Sequence, residues 1–400
     1  MLETNLITPL QANAIISYRK QFGNYISIYE LEAVPGLDVQ TIYTILPFVF
    51  VNADATDYHI SNHQLLFDGT NQLLLREQMT IETPSGFNLS DSTASHYLGS
   101  KQNLYARFKY SFGNRISYGI TGQKDAGEEF FKGTQQSGFD FYSAHFFLKT
   151  NSFLKAISLG DYEIKFGQGL IAWSGFGSSK SSQVLMVEKT GRTLKPYTST
   201  NEYTFFRGAA AVLGTQKFDI TIFGSSKMID ANISSVDTLN EETIVSSFGG
   251  DGYHRTLSEL DNRKVIRQTT TGANAQVHFN NFNLGVSGIK TVFGADIQKT
   301  IYPYNQFDFS GKQLSDASID AKWNLKNISM FSEFALSDNG GHALLAGAVA
   351  SLDAHVDACF VYRDYQKNFQ SLFANAFGES STPNNEKGFY TGVCIKPVSR

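Results

Sequence analysis

Leu104-Tyr105-Ala106-Arg107-Phe108-Lys109-Tyr110-Ser111-Phe112 is the stretch that decides the fold. Leu104, Ala106, Phe108, Tyr110 and Phe112 are apolar or aromatic, and Arg107, Lys109 and Ser111 separate them. Successive side chains of a strand point to opposite faces, so this period of two predicts a strand lying between two different environments. Residues 318–326 repeat the pattern, with Ile319, Ala321, Trp323 and Leu325 set against Ser318, Asp320, Lys322, Asn324 and Lys326. Residues 354–363 oppose Ala354, Val356, Ala358, Phe360 and Tyr362 to His355, Asp357 and Arg363. The segments around Phe218, Ile220 and Ile222 and around Val277 and Phe279 behave alike.

Working outward, about fourteen such strands are read from residue 70 onward, and the connections between them alternate too. Tight turns fall at Phe112-Gly113-Asn114, Thr150-Asn151-Ser152, Gly214-Thr215-Gln216, Asn280-Asn281, Lys326-Asn327 and Leu352-Asp353. Between them lie long segments near 84–100, 124–138, 167–202, 227–263, 294–313 and 364–388, and only the link from Asp338 to Gly341 is short where a long one is due. Short turns on one side and long loops on the other are the plan of an antiparallel up-and-down barrel in an outer membrane. The first strand leads into a long loop, so whatever precedes it is expected on the short-turn, periplasmic side.

Composition is consistent with this plan. No run reaches the 18 or so apolar residues of a membrane helix, so a membrane-spanning form of this chain must be a barrel with its backbone paired between strands. The 33 Phe and 19 Tyr suit aromatic girdles at two interfaces. A soluble sandwich or a large lipocalin-like barrel would also alternate, but the strand count, the segment lengths of about 9–11 residues and the asymmetry of the loops favour a spanning wall. The expected membrane partner is lipid. Met1 runs directly into a helical pattern without an export signal, and Thr391 to Pro397 lacks a terminal aromatic, so a fragment with further strands is expected. Cys359 and Cys394 can bridge only if their strands are neighbours; otherwise they are two unpaired strand residues.

Residues 1–51 follow a helical period instead and form a separate module, with 52–69 as linker and 70–400 as the barrel region. Pro9 stands at a helix start, Ala12, Ile15, Ile16 and Arg19 follow on one stripe, and Gly23-Asn24 breaks the chain. Ile28, Leu31 and Val34 form a second short helix, Pro35-Gly36-Leu37-Asp38 a hairpin, and Ile42, Ile45 and Leu46 a further helix.

The runs Ala14-Ile15-Ile16-Ser17-Tyr18-Arg19, Phe22-Gly23, Ser27-Ile28, Glu30-Leu31, Val34-Pro35-Gly36-Leu37 and Ile45-Leu46-Pro47-Phe48-Val49 resemble the helix-hairpin-helix domain of competence-type DNA-binding proteins. That resemblance implies backbone amides offered to a duplex phosphate without sequence readout. Pro35, Gly36 and Leu37 would be the contact, with Arg19 and Lys20 as the available bases. The chain departs from the pattern at Asp38, where a second glycine is usual, and at Leu6-Ile7-Thr8-Pro9-Leu10, which lacks glycines. Against Arg19 and Lys20 stand Glu3, Glu30, Glu32 and Asp38, where a phosphate binder carries a basic patch.

A second resemblance is to Bacteroidota-type outer-membrane barrel proteins carrying such a module. It rests on Leu159-Gly160-Asp161-Tyr162, Phe166-Gly167-Gln168-Gly169-Leu170, Trp173-Ser174-Gly175, Phe206-Arg207-Gly208-Ala209, His254-Arg255-Thr256 and Gly388-Phe389-Tyr390. It implies location and architecture rather than an activity.

Chemical motifs are sparse. Gly167 to Ser181 is glycine-rich but lacks the phosphate-loop spacing, so no nucleotide cofactor is expected, and it reads as a strand leaving into a long outer loop. His59 and His63 have ligand spacing without an acid partner; His254, Arg255, Thr256 and Glu259 sit in a loop with no nucleophile elbow. No metal or catalytic residue is therefore assigned. Asp320, Lys322, Glu333, His355, Asp357 and Arg363 are expected to form a salt-bridged lumen.

The fold expected is mainly β: an antiparallel up-and-down transmembrane β-barrel of at least about 14 strands, preceded by a small all-α helix-hairpin-helix module. Two functions remain open. One is a non-enzymatic outer-membrane barrel whose periplasmic module binds double-stranded DNA backbone non-specifically or meets a periplasmic protein. The other is a structural or transport barrel whose module is a plug or docking domain.

Overall fold

A computed structural model describes residues 6–51, 61–88, 95–174, 183–237, 242–353, 355–380 and 382–396. The wall begins with β1 (Thr70–Met79), β2 (Gln102–Phe112), β3 (Ile116–Lys124), β4 (Phe141–Lys149) and β5 (Leu154–Ile164). β6 (Leu194–Pro196) lies along the end of β5, and β7 (Phe206–Gly214) resumes the wall by pairing with β5. After β8 (Phe218–Ile229) a hairpin of β9 (Ala231–Asp237) and β10 (Glu242–Phe248) interrupts the meander, so β8 pairs with β11 (Ile266–His278). β12 (Phe282–Ile297), β13 (Gly311–Leu325), β14 (Ile328–Ser337), β15 (His342–Asp353), β16 (Val356–Tyr365) and β17 (Glu386–Ile395) follow in order.

All seventeen strands among the described residues belong to one sheet. Without β6, β9 and β10, fourteen wall strands remain, each antiparallel to its neighbours. They coincide with the strands read from the alternation, and the β14–β15 link is the short exception. The full-length ladder of β1 is with β2 and that of β17 is with β16. These two edge strands run in opposite directions, as closure of an up-and-down cylinder requires.

The outer face of the wall is apolar and exposed, and the inner face is mixed, polar over much of β8, β11 and β12 and apolar over β14 to β16. Outward residues such as Ile222, Val286 and Trp323 are 48, 54 and 46 % exposed. Inward residues include Thr221, Thr270, Asn274, Thr291 and Ser329, all buried. Phe153 beside Phe218, Phe279 beside Phe282, and Trp323 opposite Phe282 ring the short-turn end with aromatic side chains.

The interior is filled from within. The β5–β7 connection, read from sequence as an outer loop, instead turns inward: Phe166, Leu170, Ile171 and Ala172 have no exposed surface and pack against Phe331, Ala335, Leu345, Val349, Cys359 and Val361 of the wall. The reason is the apolar run Leu170-Ile171-Ala172-Trp173, which water would penalise. The β16–β17 connection joins it, since Trp173 N donates to Phe373 O at 2.8 Å and Asn375 N to Gly169 O at 2.9 Å.

The helical module comprises α1 (Pro9–Phe22), a 3₁₀ turn Ile28–Ala33 and α2 (Val39–Ile45). Thr8 and Gln11 form a reciprocal cap with Pro9 at the first helical position, so the start read from Pro9 is seen. Ile7, Ala12, Leu31, Val34, Leu37, Ile42 and Ile45 make its core. It sits at the short-turn end: α1 touches β14 and β15, and Leu10 packs on the interior cluster. Between the module and the wall, the stretch expected as linker holds α3 (Asn62–Phe67), started by a reciprocal Ser61–Gln64 cap.

Candidate functional site

Three long connections converge at the opposite end of the barrel on His254. The β3–β4 connection brings Glu128, Gln135 and Asp140; the β5–β7 connection brings Glu202 and Tyr203; the β8–β11 connection brings Asp230, His254, Arg263 and Lys264. His254 Nδ1 lies 2.6 Å from Asp140 Oδ2, and Nε2 lies 3.0 Å from Asp230 Oδ2. Both partners are carboxylates, so both ring nitrogens donate and His254 is an imidazolium. Its own N–H donates to Glu128 Oε1 at 2.9 Å.

Each carboxylate is tied further. Asp140 takes Arg263 at 3.2 Å and a hydrogen bond from Gln135. Asp230 accepts from the Tyr203 hydroxyl at 2.9 Å and from Lys264 N at 2.7 Å, and Glu128 Oε2 accepts Asp125 N at 2.7 Å. Lys264 adopts a φ of 52°, a left-handed conformation uncommon for a residue with a Cβ, to deliver that N–H. Nearby, α4 (Leu257–Asp261) starts with a Thr256–Glu259 reciprocal cap, and Arg255 pairs with Glu259 at 2.7 Å.

The electrostatics follow from burial and charge. Burial pushes His254 downward, but hydrogen bonds to Asp140 and Asp230 outweigh it and raise its pKa to about 10. Burial, then Asp140, pushes Glu128 up to about 7. Burial, then Asp140, likewise raises Glu202 to about 8. Burial opposes ionisation of Asp230, yet the hydrogen bond from His254 holds it below the usual range.

Glu128, Asp140 and His254, and likewise Glu202, Asp230 and His254, place ligand atoms within 4.8 Å of one another. The imidazolium already supplies the positive charge between Asp140 and Asp230, so the donor set reads as a clasp joining three loops. His254 bonds no hydroxyl or thiol among the described residues. A Ser–His hydrogen bond does occur between Ser117 Oγ and His145 Nε2 at 3.0 Å, buried within the wall, but the nearby Asp161 is committed to Arg207 at 2.7 and 2.8 Å. Neither group makes a nucleophile relay. Beside the clasp lies a cavity of about 110 Å³ lined by Asp140, Glu202, Phe205, Arg207, Lys227 and Lys264.

The residues assigned from sequence to a phosphate site lie at the other end. Pro35 and Gly36 form the exposed tip of a turn closed by Leu37 N to Val34 O at 3.2 Å, with Gly36 at φ 78°, whereas the Leu37 side chain is buried in the module core. Arg19 and Lys20 are exposed on the last turn of α1. Asp38 caps α2 through Thr41 N at 2.9 Å, meets Gln11 at 3.4 Å and pairs with Lys396 at 3.1 Å. Lys396 also reaches Asp357 at 3.0 Å. His63 is exposed against Phe67, and His59 lies outside the described residues. Cys359 and Cys394 are on adjacent strands, but Cys359 is in register with Gly392 and both thiols are free.

The expected lumen pairs form only in part. Lys322 pairs with Glu188 of the inserted loop and Arg363 with Glu379 and Glu386, whereas His355 sits exposed on Asp353. Sequence reasoning missed Glu128, Asp140, Glu202 and Asp230, because residues from three loops share no spacing.

No family model matches the chain, and no curated protein sequence matches it. Similar solved structures include the Salmonella typhi OmpF complex with daunomycin, at 9 % identity over 82 % of this chain and 95 % of that one, with a TM-score of 0.32. In-vitro folded OmpT, an outer membrane protein of Vibrio cholerae, has 10 % identity over 82 % and 95 % with a TM-score of 0.30. An anion-selective porin from Comamonas acidovorans has 12 % identity over 75 % and 88 % with a TM-score of 0.28. Similarity this low says nothing of what the chain does.

Proposed function

We propose that the chain is an outer-membrane β-barrel closed by its own inserted loop, with the helical module on the periplasmic side as a plug or docking domain. The exposed apolar outer face of the wall carries this reading. Ile222, Val286, Trp323 and their counterparts leave a continuous apolar outer face exposed although the interior already has its own core, an arrangement that water disfavours and lipid favours. Short turns lie on the periplasmic side of such barrels, and α1 lies at that end. The pairing of Asp38 with Lys396, together with Leu10 on the interior, supports docking against the barrel.

A second reading assigns the module to duplex DNA. It is supported by the exposed Pro35–Gly36 tip, where nothing within 4 Å would obstruct a Cβ on Gly36 and a phosphate has room to approach the backbone. Asp38 immediately after it opposes such a contact.

The test is ionic current across planar bilayers holding the folded chain. The native protein is expected to give no steady current, and replacement of residues 169–190 by a short Gly-Ser link is expected to open a conducting path. Equal conduction by both would overturn the closed-barrel reading. Salt-sensitive binding of a labelled duplex by the native chain would favour the second reading for the module.

A further inference from the structure

Asp320 of β13 and Glu333 of β14 are direct cross-strand partners on the inner face. Neither has a cationic partner among the described residues, and the next inward residue of β13, Lys322, is committed to Glu188. Like charges opposed across a strand pair repel, and a buried carboxylate without compensation is strongly disfavoured.

Their oxygens are unevenly used. Glu333 is wholly buried; its Oε2 accepts Gln168 N at 2.6 Å and Leu170 N at 3.0 Å, while Oε1 has no hydrogen-bond partner. Asp320 Oδ1 is buried and without a partner as well. Ser318, 5 % exposed, lies beside the Glu333 carboxylate, and its Oγ completes no well-formed hydrogen bond. Two glycines make room for the acids. A Cβ on Gly167, which has φ 51°, would fall 2.7 Å from Glu333 Cδ, and one on Gly285 would fall 2.3 Å from Asp320 Oδ1. Three undersupplied oxygens thus share one part of the interior, beneath the loop that fills the barrel.

We propose that Asp320, Glu333 and Ser318 bind a hard divalent cation of the calcium or magnesium class, pinning residues 167–170 to the wall. Two carboxylates and a hydroxyl form an all-oxygen donor set, which suits hard cations and lacks the thiolate and imidazole ligands that softer metals prefer. Glu333 would then join the two structures, with one oxygen on the cation and the other on the loop amides.

The test uses the full chain folded in lipid vesicles and stripped with EDTA. Its unfolding midpoint is followed as calcium chloride or magnesium chloride is added, against sodium chloride of matched ionic strength. A saturating rise is expected in the native chain, because a ligand that binds only the folded state stabilises it. The rise should be lost in D320N and E333Q but kept in E202Q, which alters the acidic clasp at the other end. Metal-free midpoints of D320N and E333Q should equal or exceed that of the stripped native chain, since each relieves the repulsion. S318A should raise the half-saturating concentration by roughly tenfold, the loss of one modest ligand contact. No rise beyond the ionic-strength control, or a rise that survives in both D320N and E333Q, would overturn the assignment.

Discussion

His254 shows how one side chain organises a surface. With both ring nitrogens engaged and its side chain 1 % exposed, it ties together connections more than a hundred residues apart in sequence. His254→Gln leaves at least one of Asp140 and Asp230 buried without its charged partner, so a loss of about 3–5 kcal/mol is expected in chemical denaturation. The pH dependence has a fixed sign. The folded-state pKa of His254 is raised to about 10, so its contribution is full below its ordinary value of 6.5 and is lost as pH rises through about 10. Glu128 and Glu202 are raised to about 7 and 8, so their protonated forms also favour the folded loops, and that contribution fades as pH rises through those values. The unfolding midpoint should therefore fall in two overlapping stages as pH rises, a lower one between about 4.5 and 8 from Glu128 and Glu202 and an upper one between 6.5 and about 10 from His254. The double variant E128Q/E202Q should retain only the upper stage; an unchanged lower stage would contradict these assignments.

At the scale of the element, the alternation of Phe218, Ile220 and Ile222 or of Ile319, Ala321 and Trp323 was enough to find every wall strand, because period two survives whichever face meets lipid. It also showed which residues share a face. The fate of the connections was less legible. The glycines of residues 167–181 predict an outward loop, whereas Leu170, Ile171 and Ala172 supply a greasy run that seeks the interior. The hairpin of β9 and β10 and the one-turn helices α3 and α4 escaped notice, although Ser61-x-x-Gln64 and Thr256-x-x-Glu259 are capping signatures. The clasp was illegible because its acids meet only after the barrel brings three loops together. A direct consequence of the face assignment concerns Ile222, which is paired with Ala211 and Ala273 in the wall. Ile222→Lys should lower stability in lipid by about 2–4 kcal/mol if it lies near mid-bilayer. Refolding yield into vesicles against urea measures this; a neutral effect would place that face in water.

For the whole molecule, three layers of closure act on one cylinder: the clasp at the long-loop end, the inserted loop within, and the helical module at the short-turn end. Their common premise is that lipid surrounds the wall. The chain holds two tryptophans that report on opposite sides of it, Trp323 facing outward and Trp173 buried beside Lys165 and Lys189 in the interior. The decisive measurement is fluorescence of the W173F variant, which retains Trp323, folded into vesicles of acyl-brominated lipid, with the W323F variant as its counterpart. Trp323 should be strongly quenched by the brominated chains and little affected by aqueous iodide, while Trp173 should resist both quenchers. Quenching of Trp323 by iodide but not by brominated chains would put the outer face in water and contradict the membrane barrel.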